Sequence, residues 1–108
     1  MNERGDRNEK MAEVIKRASA QYFERESNRD ALVSVTNVVL SDDGNRANIF
    51  ISVLPDAKEM AVLNFAKRNL TELREYIKKN VRSRAVPHLE VHIDLGEKNR
   101  QRLDNILR

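Results

Sequence analysis

The 108-residue chain contains no cysteine, which excludes a disulfide framework, thiol nucleophiles and cysteine-based zinc sites and fits a reducing compartment, the cytoplasm by default. Its only glycines, Gly5, Gly44 and Gly96, stand too far apart to write GxxxxGK[ST] or GxGxxG, so the phosphate-cradling loops of nucleotide hydrolases are missing. There is no tryptophan, and Tyr22, Phe23, Phe50, Phe65 and Tyr76 are not paired as a base-stacking platform. They read as core. No apolar run approaches the roughly 18 residues of a membrane span, and MNERGDRNEK at the start lacks an apolar signal core. A soluble protein with no membrane partner is expected. Nor does any grouping of side chains identify an activated nucleophile or a perturbed carboxylate. No enzyme and no cofactor are therefore expected.

Charged residues make up 34% of the chain, yet the net charge is only +3, so basic character has to be judged by clustering rather than by totals. At 40% hydrophobic content the length suits one small domain. Residues 1–7 are polar and are expected as a loose tail. From Asn8 to Glu26, the residues Met11, Val14, Ile15, Ala18 and Tyr22 recur on one helical face. Turn formers at 27–30 then precede LVSVTNVVL, whose β-branched richness predicts a strand. SDDGNR (41–46) predicts a hairpin around Gly44. In the second strand Ala47, Ile49, Ile51 and Val53 form an apolar face, expected to receive helices, and Asn48, Phe50, Ser52 and Leu54 form a mixed one.

After Pro55, Asp56 and Glu59 have the spacing of a capping box. The stripe Met60, Leu63, Ala66, Leu70, Leu73, Ile77 and Val81 then continues at helical intervals. Asn69 followed by Glu72 repeats the cap pattern in mid-run and predicts a break into two helices. Pro87 disfavours helix at Val86, and Leu89, Val91 and Ile93 alternate with polar residues as a third strand. The order is αββααβ. Leu103, Ile106 and Leu107 suggest a short terminal helix.

Two clusters could carry chemistry. Arg74, Lys78, Lys79, Arg82 and Arg84 stand against Glu75 alone, a segment of +4. Cations in a last helical turn interact favourably with its carbonyl end. Five so close together exceed what capping needs, and a polyanion would relieve their repulsion. Arg82 and Arg84, able to meet phosphate bidentately, are the better candidates for fixed contacts. The row His88, Glu90, His92 and Asp94 has the spacing of one strand face and could supply metal ligands. A solvated sheet face explains that row more simply, and no metal is expected.

VSVTNVVLSDDGNRANIFISVL (33–54) and RSRAVPHLEVHID (82–94) together resemble the ribosome-binding factor A family, bacterial small-subunit assembly factors, over nearly the whole chain. The resemblance implies an α+β fold of type II KH-like topology, with three helices on one face of a mixed three-stranded sheet over residues 8–94 and a short C-terminal segment over 95–108. It implies non-catalytic binding to 16S rRNA of the free 30S subunit or its precursor, in support of late maturation and 5′-end processing, particularly in the cold. The expected phosphate contacts are Arg74, Lys78, Lys79, Arg82 and Arg84, with Lys67 and Arg68 as additions. Family members carry an Ala-x-Gly kink between the paired helices, and here Asn69, Leu70 and Thr71 stand in its place. A cytoplasmic monomer with no DNA partner is expected. An alternative is an interaction adaptor whose basic patch meets an acidic protein surface.

Overall fold

The computed structural model describes residues 3–26, 30–81 and 85–96. Helix α1 (Glu3–Glu26) is followed by strands β1 (Leu32–Leu40) and β2 (Arg46–Leu54), helices α2 (Glu59–Arg68) and α3 (Leu70–Asn80), and strand β3 (His88–Ile93). This is the expected type II KH-like order.

The first helix starts earlier than composition suggests, at Glu3 and not near Asn8, so the loose tail expected over 1–7 is helical from its third residue. Once the amphipathic body has formed, each added residue gains a hydrogen bond at little further cost. Asn8 also ties this end of the helix to the hairpin, donating from Nδ2 to the Ser41 carbonyl at 3.4 Å. The terminal helix expected around 103–107 lies outside the described residues.

The sheet has the order β1-β2-β3. β1 pairs antiparallel with β2, and β2 pairs parallel with β3. Gly44, at φ 74°, turns the hairpin, a backbone state that an L side chain rarely adopts. Between Val35 and Asn37 the register shifts, so Thr36 is the extra residue of a β-bulge. The bulge exchanges the two faces of β1. Val33 and Val35 point to the core before it, and Val38 and Leu40 after it, each opposite an inward residue of β2.

Ala47, Ile49, Ile51 and Val53 are all essentially buried, and they join Ile15, Ala18, Tyr22 and Phe23 of α1, Ala66 of α2, and Leu73 and Ile77 of α3 in one apolar cluster. Leu89 and Val91 of β3 complete it. The three helices thus cover a single face of the sheet, as the alternation in β2 requires.

The start of α2 differs from expectation. Asp56 does not cap it; residues Asp56–Lys58 form one 3-10 turn, closed by Lys58 N–H donating to the Pro55 carbonyl at 2.9 Å, and the α-helix begins only at Glu59 without a side-chain cap. The extra turn places Glu59 at the first position of the helix, where it interacts with the positive helix end and no longer reaches back to close a capping box.

Candidate nucleic-acid interface

α2 and α3 meet at Asn69, whose φ and ψ are −110° and 24°. The break falls where the cap pattern predicts it, but the chemistry is different. Asn69 turns its side chain backwards and donates from Nδ2 to the Phe65 carbonyl at 2.8 Å, while its own N–H reaches the same oxygen at 3.0 Å. It therefore closes the end of α2 and gives no side-chain cap to α3. Glu72, the expected capping partner, instead accepts a hydrogen bond from the Tyr22 hydroxyl at 3.1 Å. Burial, then that bond, push the Tyr22 pKa up to about 12. Among the described residues positive φ occurs only at Gly44 and Gly96. The interhelical bend at Asn69, Leu70 and Thr71 thus needs no left-handed residue, and a glycine is dispensable there.

Lys67 and Arg68 occupy the last turn of α2, and Lys78 and Lys79 the last turn of α3. All four are exposed, and none makes an ion pair or side-chain hydrogen bond among the described residues. The length of α3 separates the two pairs by roughly 15 Å at ~1.5 Å per residue. Lys78 and Lys79 of the basic run thereby form one end of a ridge whose other end is Lys67 and Arg68.

Arg74 has a different occupation. Its Nη1 donates to the Pro87 carbonyl at 2.7 Å and its Nη2 to the Val86 carbonyl at 2.6 Å. The half-buried guanidinium holds the approach to β3 against α3, and both of its terminal nitrogens are already engaged. Arg74 thus acts as an internal clamp where a phosphate contact was expected, because its acceptors come from a connection that is remote in sequence and adjacent in the fold. Arg82 and Arg84 lie outside the described residues.

Beside the bend, Leu70, Thr71, Arg74, His88 and Leu89 line an open cleft of about 360 Å³. Sequence reasoning did not find it, since its walls come from the first turn of α3 and the first residues of β3.

On the sheet face opposite the three described helices, Asn48 is 4% exposed. It donates from Nδ2 to the Val39 carbonyl at 3.4 Å and presents Oδ1 to His92 Nε2 at 3.0 Å. With the amide oxygen facing the ring, Nε2 carries the proton. The ring lies 5.4 Å from that of Phe50, centroid to centroid, and Glu90 Oε1 stands 3.9 Å from Nε2. Burial lowers the His92 pKa from its usual 6.5; Glu90 opposes that shift and Lys67 adds to it. His92 is thus one part of a hydrogen-bonded strand face. No group of three or more His, Cys, Asp and Glu side chains among the described residues is arranged to hold a metal ion.

Comparison with known proteins agrees with this architecture. The family model for ribosome-binding factor A matches residues 7–107. Ribosome-binding factor A of Kosmotoga olearia is 36% identical over 87 residues, covering 79% of this chain and 70% of its own length. That of Heliobacterium modesticaldum is 34% identical over 106 residues, covering 95% and 88%. The crystal structure of ribosome-binding factor A from Thermus thermophilus aligns with a TM-score of 0.69 at 24% identity, over 80% of this chain and 94% of that one. The structural likeness speaks for the fold, and the sequence match, spanning the bend, the clamp and all three strands, speaks for kinship: the chain belongs to the ribosome-binding factor A family.

Proposed function

We propose that this protein is a non-catalytic ribosome assembly factor that binds 16S rRNA on the free 30S subunit or its precursor. Late maturation of that subunit, with processing of the 5′ end and a role at low temperature, is the step it serves, as a cytoplasmic monomer. Family membership supports the partner. The observation that carries the interface is the ridge of Lys67, Arg68, Lys78 and Lys79, exposed at two helix ends with no acid paired to them among the described residues. Cations at these positions serve helix stability only weakly and remain available to phosphate oxygens. Arg82 and Arg84 continue the ridge in sequence, whereas Arg74 supports it from behind.

Binding of the purified protein to small subunits over a salt series tests the placement. Each lost phosphate contact should weaken binding and reduce the log-log salt slope by about 0.7–0.9. Lys67→Ala/Arg68→Ala and Lys78→Ala/Lys79→Ala should each flatten the slope by nearly two contacts' worth. Variants that bind like the parent at every salt concentration would remove these residues from the interface. Co-sedimentation that survives complete digestion of the RNA would favour contact with ribosomal protein over rRNA.

A further inference from the structure

Leu32, Leu54 and Met60 are 63%, 57% and 62% exposed, and all three lie at one end of the fold, where β1 begins, β2 ends and α2 makes its first turn. Leu32 and Leu54 are register partners, so their side chains stand side by side on the face opposite the three described helices. Leu95, 67% exposed, follows β3, which runs toward the same end because it is parallel to β2. Single exposed leucines need no explanation. Here every large hydrophobic side chain exposed among the described residues is gathered at one end.

The charge around these side chains is of the opposite sign to that of the basic ridge. Asp30 precedes β1, Asp56 lies between β2 and α2, Glu59 opens α2 and Asp94 follows β3, with Lys58 the cation among these described residues. Nearby Glu26 is paired with Arg25 at 3.1 Å. A groove of about 280 Å³ opens beside this end between Asp30, Ala31, Lys58 and Ala61, reaching Arg68 along α2. A nucleic acid would meet like charge here. A second copy docked about a two-fold axis would bring the same acids face to face. What the surface complements is aliphatic side chains set among cations.

We propose that this apolar, acidic end is a docking surface for a protein segment that presents aliphatic residues flanked by lysine and arginine. The proposal stands apart from the rRNA reading, because its apolar anchors lie away from the lysines of the ridge, only Arg68 bordering both, and it concerns another class of partner. The fold then has two working ends, one for a polyanion and one for a cationic protein.

Amide chemical shifts of the isotope-labelled full chain provide the test, with a short amphipathic leucine–lysine peptide, its leucine–glutamate counterpart and an oligouridylate as probes. The leucine–lysine peptide should move the amides of Leu32, Leu54 and Met60, and the leucine–glutamate peptide should leave them unchanged. Leu54→Ser should weaken the peptide about tenfold, the effect of losing one aliphatic anchor. Leu32→Ser, on the neighbouring strand, should do the same, and an unchanged spectrum elsewhere would show that each variant is folded.

Shifts confined to other surfaces, or equal binding of both peptides, would overturn the proposal. So would oligouridylate shifts centred on Leu32 and Leu54 in place of Lys67 and Lys78. The same amides shifting on introduction of Leu103→Glu/Ile106→Glu, without any peptide, would assign the surface to this chain's own C-terminal residues and also overturn it. Loss of oligouridylate binding at the ridge with peptide binding intact would count against the rRNA reading alone.

Discussion

The two faces of β2 bury their side chains by different means. On the inner face Ala47, Ile49 and Ile51 are 0% exposed beneath a layer of three helices. On the outer face none of the three described helices lies above the strand, yet Phe50 is 2% exposed and Asn48 4%. Neighbouring strands contribute to that cover: His92 lies against Phe50 and bonds Asn48, and Thr36 donates from its hydroxyl to the Phe50 carbonyl at 3.2 Å and also bonds Asp94. Large or hydrogen-bonded cross-strand neighbours thus add to burial in a central strand where the helices do not reach.

Truncating side chains on each face, with stability read by chemical denaturation, should separate the two means of burial. Ile51→Ala should cost about 2–5 kcal/mol, since the helices above it cannot collapse into the space. Phe50→Ala should cost less, about 1.5–3 kcal/mol, because the His92 and Thr36 side chains beside it can relax into the space more readily than packed helices can. Equal losses would mean that the outer face is as closely packed as the core. Asn48→Ala should cost about 1 kcal/mol, the net worth of a hydrogen bond whose partners water can reach once the side chain is gone.

The smallest effect is a pH dependence. The native state holds the His92 pKa below its usual 6.5, so at mildly acid pH the unfolded chain binds more protons than the folded one. The stability associated with the neutral ring is thus fully present above about pH 6.5 and falls as pH drops through that value toward the lower folded pKa. Glu90 and Lys67 pull in opposite directions, which limits the size of the change. Stability curves measured between neutral and mildly acid pH should diverge for the parent and His92→Gln, with the variant flatter.

The regular parts of this fold follow from periodicity. The apolar face of β2 and the alternation of β3 appear in sequence at the residues that are buried, and the helical stripe from Met60 onward stops and restarts at Asn69. What sequence misses is decided by partners far along the chain. Asn69 and Glu72 have the spacing of a capping box, but Tyr22 takes the glutamate and Phe65 the asparagine. Arg74 looks like any other cation of its run until Val86 and Pro87 fold against it. The bulge at Thr36 has no signature in LVSVTNVVL, because valines on both sides of it suit either face. Within the proposed interface, Lys78 and Lys79 were legible as helix-end cations and Lys67 and Arg68 only as additions to them, and the separation into two pairs was not legible, since it depends on how far α3 carries the chain.

That separation has a counterpart in time. Leu40 meets Ala47 seven positions on, whereas Arg46 meets His88 after forty-two, and closing the longer span costs more chain entropy before any strand contact repays it. The hairpin can form by local search. β3 can be added only after the α2–α3 crossover has brought its ends together, so the hairpin should form before the parallel pair.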